Sequence, residues 1–190
     1  MLLSKKKRRE YFKYLSLGEY NSENIKKLQK TYFTREKDID GEYGPDTDKL
    51  LRHVYNVTKY APNFDPEEFR CGCGGKYCSG YPSYMKQKQL KHIQTIRKHY
   101  NKAMTVTCGL RCSAWNRRLN GAASNSKHLT GKATDFFMRG VTDTLERRKK
   151  AINYIKTLPD HNYTYGNGCS SLGPAVYAPN MGNAVHTDTK

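Results

Sequence analysis

Two short segments of the chain carry residue types that perform metal chemistry. His128 and Asp135 lie in segment 126–135, and His186 lies in segment 185–188. Two imidazoles and one carboxylate suit zinc and leave the fourth tetrahedral position for water. Because an open fourth position characterises catalytic rather than structural zinc, these residues predict a metallohydrolase.

Periodicity predicts the elements that must position these residues. Alternation over residues 133–138 predicts a strand that carries Asp135, and a second strand over 184–188 points His186 and Asp188 to one side. A carboxylate on such a strand is costly to bury unless it is paired or bound to metal. The other elements predicted nearby are a helix over 84–102, a strand over 104–107, a helix from Thr142 or Thr144 to residue 158, and a cleft-shaping loop over 166–182. On the first of these helices, flanking lysines predict that His92 and His99 lie on the surface.

The first sixty residues have a different pattern. The basic run at residues 5–9 predicts a solvated, partly frayed terminus. Two helices follow, one with Ile25, Leu28 and Tyr32 on one face and one that buries Leu50, Leu51 and Val54, and a turn-rich loop over 38–45 separates them. Prolines at positions 62 and 66 mark the entry to the next unit, so the predicted domains are 1–60 and 61–190.

Charge restricts the class of partner. The formal net charge is +17, which attracts polyanions such as nucleic acid, anionic membranes and anionic polymers of the bacterial wall. No segment approaches the roughly 20 apolar residues that span a bilayer. The basic N-terminus lacks the apolar stretch of a signal peptide. We therefore expect no membrane span and a protein that stays in the cytoplasm until something releases it.

Six cysteines agree with a cytoplasmic origin and require no disulfides. Cys71, Cys73 and Cys78 lie together in a glycine-rich stretch, and with a fourth thiol nearby they could hold a structural zinc ion. The spacing lacks paired Cys-x-x-Cys elements, however. The favoured interpretation is therefore a loop of reduced thiols without a function, and a second metal remains the alternative.

The N-terminal unit resembles the small peptidoglycan-binding domain that accompanies many wall hydrolases. The resemblance rests on residues 15–18, 25–29 and 40–47, which follow the order of that family. It implies a small all-α wall-binding domain. The alternative is a three-helix accessory domain with no affinity for the wall.

The second unit resembles the zinc D-alanyl-D-alanine carboxypeptidase family. The matching residues are 64–69, 107–112, Asn116, 121–122, the Ser-x-His-x6-Asp element at 126–135, and the His-x-Asp element at 186–188. That family shares its fold with hedgehog signalling domains and includes phage endolysins that cut peptidoglycan stem peptides. The resemblance implies an α+β hedgehog/DD-peptidase-like zinc domain with a small antiparallel sheet and flanking helices.

The resemblance also assigns roles to single residues. His128, Asp135 and His186 match the zinc ligands, Arg111 matches an arginine that binds or polarises the peptide near the scissile bond, and Ser126 supports the ligand loop. Zinc polarises an amide carbonyl and lowers the pKa of its water towards ~7. A guanidinium can pair with a substrate carboxylate or a developing oxyanion.

The general base departs from part of the family. Several members have an acid three residues before the last histidine ligand, where this chain has Asn183. Asp188 is the substitute candidate, because it lies on the same strand face as His186, within ~7 Å. It either takes the proton from water or orients the His186 imidazole, and the orienting role is favoured.

Three functions compete at this stage. The leading one is a zinc peptidase that cuts peptidoglycan, in an endolysin that acts after release through membrane holes during phage lysis; trimming of a terminal D-alanine by a carboxypeptidase is a variant of it. The second is a zinc-dependent wall-binding module without activity, which Asn183 favours. The third is a nucleic-acid-binding protein, suggested by charge and 15 tyrosines but disfavoured because the charge is dispersed.

Overall fold

The computed structural model describes all 190 residues, and they form an α+β fold with six α-helices and one five-stranded sheet. The α-helices are α1 (Lys5–Tyr14), α2 (Ser22–Tyr32), α3 (Pro45–Tyr60), α4 (Gln87–Tyr100), α5 (Ser113–Asn116) and α6 (Leu145–Ile155). The strands are β1 (Thr105–Cys108), β2 (Ala133–Phe137), β3 (His161–Gly166), β4 (Cys169–Ser170) and β5 (Val185–Thr189). No helix combines the length and the apolar character needed to cross a membrane.

The sheet has the order β1-β2-β5-β3-β4, and all its neighbouring strands are antiparallel. The predicted small antiparallel sheet is thus confirmed, with β3 and β4 as strands that the sequence did not predict. Strand β5 lies between β2 and β3, and each of its residues from Val185 to Thr189 is buried. A strand in this position is paired along both edges, which fixes its register on both sides.

The basic run at residues 5–9 is largely solvated, as predicted, but it is helical and not frayed, which corrects the second part of that prediction. Ser4 caps α1 by accepting a hydrogen bond from the Lys7 amide, and Phe12 on this helix is fully buried. The Arg8 guanidinium stacks on the Tyr43 ring at 3.8 Å and donates to the Tyr20 hydroxyl. Burial of Phe12 and stacking of Arg8 hold the helix against the rest of the chain.

The helices of residues 1–60 and the later elements share one hydrophobic core. A single cluster of buried side chains extends from Leu3 and Phe12 to Phe136 and Val185. Helix α3 joins the two parts, since its His53 receives the Met85 amide and donates to the Pro66 carbonyl oxygen, and its Asn56 donates to the Met85 carbonyl oxygen. The division into domains at residue 60 stays a prediction, and the core on its two sides is continuous.

Helix α4 lies against the sheet and corrects the prediction for one of its histidines. His92 is 4% exposed, and its Nε2 is 2.9 Å from the Thr187 hydroxyl of β5. The lysines beside it in sequence point elsewhere, because neighbouring positions on a helix face different directions. His99 is exposed as predicted and stacks on Tyr154 with 3.6 Å between ring centroids.

Candidate active site

His128 is held by a tight turn that precedes β2. It lies in a 3-10 turn, Lys127–Thr130, which ends at Gly131 with φ 71°. A side chain at position 131 would collide with the backbone of Tyr84, and only glycine adopts this left-handed conformation freely. The His128 imidazole is 2% exposed, and its Nδ1 lies 2.7 Å from the carbonyl oxygen of Gly109. Since a carbonyl oxygen only accepts, Nδ1 carries a proton, and Nε2 is the ring nitrogen that faces the site.

The other two predicted ligands are neighbours across two central strands. Asp135 on β2 and His186 on β5 are direct partners in the antiparallel register, so their side chains project from the same face. His186 Nδ1 is 2.7 Å from Asp135 Oδ1, and His128 Nε2 is 3.2 Å from the same oxygen. The two imidazole nitrogens are 3.3 Å apart. Three ligand atoms therefore converge on one point.

The charges that these groups place on one another set their protonation when no metal is bound. Burial alone would lower the pKa of His128, but the adjacent Asp135 carboxylate outweighs it and raises that pKa to about 10. Burial likewise opposes protonation of His186, and the Asp135 and Asp188 carboxylates raise its pKa. The pKa of Asp135 is lowered despite burial, because both imidazoles stabilise its charge. A divalent cation at this point displaces protons from the histidines, so its affinity rises with pH.

Asp188 contacts the far side of the His186 ring. Its Oδ2 is 3.1 Å from His186 Nε2, and its Oδ1 accepts a hydrogen bond of 2.6 Å from Asn162 Nδ2. Asn162 lies at the irregularity in the β3–β5 pairing, between His161 and Tyr163. Both carboxylate oxygens are thus occupied, and one of them holds a proton on His186 Nε2. This contact leaves His186 Nδ1 free to face Asp135 and His128.

Arg111 lies at the edge of the three-ligand centre. Its Nη2 is 3.9 Å from Asp135 Oδ2 and 3.2 Å from Cys108 Sγ, and its Nη1 donates to Asn116 Oδ1 at 3.1 Å. The buried Nε atom has no hydrogen-bond partner in the protein. The guanidinium is therefore fixed in orientation while part of its donor capacity is unused.

An open cleft of about 310 Å³ surrounds these groups. Its lining contains all five predicted site residues and Ser126, together with Lys127 and two tyrosines that the sequence reasoning missed. Tyr165 stacks on the His186 ring with centroids 4.8 Å apart, and Tyr163 stacks on Tyr165 at 5.4 Å. The two tyrosines are two residues apart, as are His186 and Asp188, so each pair lies on one face of its strand. This spacing could have indicated that the tyrosines line the cleft, but only once β3 was known to be a strand.

Asn183 lies outside this cleft lining. It is exposed, and its side-chain oxygen accepts a hydrogen bond of 2.9 Å from Arg148 Nη1. An amide at this position thus ties the β5 entry to α6. The only carboxylates that line the cleft are Asp135 and Asp188.

The donor set of the centre fits zinc. Two neutral imidazole nitrogens and one carboxylate oxygen are the ligands of many catalytic zinc sites, and all three face one cleft. Cys108 is also near, but its Sγ lies 3.6 Å from His128 Nδ1, the ring nitrogen already bonded to Gly109. The ring nitrogen that faces Asp135 is the other one. His128, Asp135 and His186 are thus the set that could hold the metal.

Comparison with protein families identifies the family of the chain. The model of the Peptidase M15 family matches residues 62–161, more than half of the chain, and the chain belongs to that family. The matched segment contains Arg111, His128 and Asp135, whereas His186 and Asp188 follow it in sequence. No curated protein and no solved structure matches the chain.

Proposed function

We propose that this peptidase is zinc-dependent and hydrolyses an amide bond of bacterial peptidoglycan, in the stem peptide or the cross-bridge. The observation that carries the proposal is the convergence of His128, Asp135 and His186 within 3.3 Å of one another on the wall of an open cleft. Bound zinc supplies a Lewis acid for the amide carbonyl and a nucleophile from water near neutral pH.

The chain's own residues do the remaining work. The Gly109 carbonyl and the Asp188 carboxylate fix the tautomers of His128 and His186, so that each ring presents a lone pair to the centre. Arg111 then binds a carboxylate of the stem peptide or the oxyanion that develops on the scissile carbonyl, a role that its position at the edge of the centre supports. Tyr163 and Tyr165 form the aromatic wall against which the peptide lies.

The surface charge supports an anionic substrate. A net charge of +17 favours attachment to a wall that carries phosphate polymers. Residues 15–56 resemble a peptidoglycan-binding domain, and we propose that helices α2 and α3 contribute affinity for the wall. The setting that fits these properties is an endolysin that reaches the wall after release from the cytoplasm during phage lysis.

The test uses purified peptidoglycan and matched histidine variants. Wild-type protein with zinc is expected to release new amino groups, and mass spectrometry of the fragments identifies the bond. Release of D-alanine alone indicates a carboxypeptidase, and larger fragments indicate an endopeptidase. His186→Ala should abolish release, whereas His99→Ala, which removes an exposed histidine away from the cleft, should not.

Other outcomes separate the alternative functions. A zinc-loaded wild type that sediments with peptidoglycan and releases nothing would overturn the proposal in favour of a binding module. Salt-sensitive DNA binding without lysis would favour the nucleic-acid hypothesis. Equal activity of the two histidine variants would exclude the proposed centre.

A further inference from the structure

A second group of metal-binding side chains lies outside the cleft. The sulfur atoms of Cys71, Cys73, Cys78 and Cys112 all lie within 4.8 Å of one another. Three of these side chains are less than 9% exposed, and Cys78 is half-buried. They form a small cluster of their own, separate from the main hydrophobic core, with Tyr77 and Trp115 packed against it.

The sulfur geometry matches a tetrahedral metal site. A zinc ion with four thiolates at about 2.3 Å has sulfur atoms about 3.8 Å apart along each edge of the tetrahedron. The sulfur atoms of Cys73 and Cys78 are 3.6 Å apart, which is close to that edge. A disulfide needs a separation of about 2.05 Å, and all six cysteines are free.

The backbone around the cluster is arranged for charged sulfur atoms. The Cys112 amide donates to Cys71 Sγ at 3.3 Å, and the Trp115 amide donates to Cys112 Sγ at 3.4 Å. Gly74 and Gly75 have φ of 60° and 85°, which lets the chain turn back between Cys73 and Cys78. Amide donors aimed at sulfur stabilise thiolates, as they stabilise other anions.

Nearby cations suit the charge that such a site would carry. Four thiolates around one divalent cation leave a net charge of −2. Lys76 lies within the loop itself, and the Arg118 guanidinium lies over the Tyr77 ring at 4.4 Å. Positive side chains next to a partly buried anionic centre reduce the cost of its burial.

We propose that Cys71, Cys73, Cys78 and Cys112 bind a structural zinc ion, distinct from the one in the cleft. The four thiolates fill every tetrahedral position, so this zinc has no site for water or substrate and acts as a cross-link. This proposal takes up the second metal that the sequence left as an alternative to a loop of thiols without function. Sequence spacing did not identify the fourth ligand, because Cys112 comes from the start of α5 rather than from the glycine-rich loop.

The cross-link has a consequence for the cleft. Cys112 directly follows Arg111 in the sequence. Few apolar side chains pack against the cysteine cluster, among them Tyr77 and Trp115. Zinc bound here would therefore add a cross-link between the loop that carries Cys71, Cys73 and Cys78 and the residue next to Arg111. Loss of this zinc would remove the cross-link, while the Arg111 amide would still donate to the His128 carbonyl oxygen.

The test counts zinc in four proteins purified under reducing conditions with zinc present. Native mass spectrometry should find two zinc ions in wild type and two in Cys169→Ser, which removes a buried cysteine outside the cluster. Cys73→Ser and His128→Ala should each retain one. Cobalt substitution should give thiolate-to-cobalt charge-transfer bands in wild type and in His128→Ala, and not in Cys73→Ser.

The His128→Ala protein keeps the proposal falsifiable if Cys73→Ser fails to fold. This variant retains all four cysteines, so a zinc-free His128→Ala protein, or one without cobalt–thiolate bands, would overturn the proposal. Rapid alkylation of the four cysteines in zinc-loaded protein, or disulfides among them in the intact mass, would also overturn it. None of these readouts depends on peptidase activity, so the second zinc and the wall substrate are tested separately.

Discussion

The substitution Asp188→Asn tests whether this residue orients a ligand or takes a proton. Asp188 is 4% exposed and accepts from two donors at once, His186 Nε2 and Asn162 Nδ2. An asparagine has one acceptor oxygen, so one of these donors must face an NH₂ group. Either His186 changes tautomer and places its proton on Nδ1, where the metal should bind, or Asn162 loses its partner.

The expected loss follows from the bond that is weakened. A hydrogen bond to a charged group contributes about 1.5–3 kcal/mol. A neighbour that orients a metal ligand is typically worth 10–100-fold in metal affinity, about 1.4–2.8 kcal/mol. We therefore expect zinc affinity in Asp188→Asn to fall by about 10–100-fold, with much of the activity recovered at saturating zinc.

Competition with a chromophoric chelator measures the zinc affinity, and amino-group release from peptidoglycan at saturating zinc measures kcat. The control is Asn162→Ala, which keeps the hydrogen bond between Asp188 and His186 and should therefore change the zinc affinity less than Asp188→Asn does. Unchanged zinc affinity with a fall in kcat of about 100-fold or more, and loss of the acidic limb of the pH profile, would refute this reasoning and make Asp188 the general base.

Three further predictions concern the cleft and the core. Arg111→Lys keeps the charge but loses the planar fork, and we expect kcat/KM to fall about 100-fold at unchanged zinc content; full activity would remove Arg111 from the mechanism. Gly131→Ala should lower the free energy of unfolding by more than about 2 kcal/mol in urea denaturation, because its Cβ would collide with the Tyr84 backbone. The control Gly121→Ala has the same left-handed backbone but open space around it, and it should lower that free energy by about 1 kcal/mol. Burial lowers the pKa of His53 from 6.5 to about 4, so below pH 6.5 the unfolded chain takes up a proton that the folded chain does not, and about 3 kcal/mol of stability is lost as pH falls towards 4. The difference in stability between wild type and His53→Gln should therefore shrink from pH 7 to pH 4.5, and a constant difference would contradict the assignment.

Much of the fold could be predicted because its elements have strong local patterns. The helix over residues 84–102 and the strands over 133–138 and 184–188 correspond to α4, β2 and β5 with small shifts at the ends. Strand β3 was missed because its half-buried, tyrosine-rich segment directly follows a turn and has no continuous apolar run. Helix α1 was missed because the side chains that hold it, Tyr20 and Tyr43, are distant in sequence.

The candidate site shows the same division between local and long-range information. Residue types and spacing were enough to single out His128, Asp135 and His186, because two imidazoles and a carboxylate have few other uses in such a pattern. Which nitrogen of each ring faces the centre depends on the contacts of His128 with Gly109 and of His186 with Asp188. The contact with the Gly109 carbonyl oxygen is a backbone contact between distant residues, which the sequence does not reveal. His92 was misplaced for a related reason, since its burial depends on β5 rather than on its neighbours in α4.

The pairing of Asp135 with His186 across β2 and β5 makes the geometry of the three-ligand centre dependent on sheet register. Adjacent residues of a strand face opposite sides, so a slip of one residue would turn His186 and Asp188 away from the cleft and bring Thr187 towards it. Such a slip would leave the secondary-structure content and the hydrogen-bond ladder nearly unchanged. A misregistered chain would therefore look folded by circular dichroism and yet lack the proposed zinc centre. If zinc binds as proposed, its tight binding is a more stringent measure of correct folding than circular dichroism.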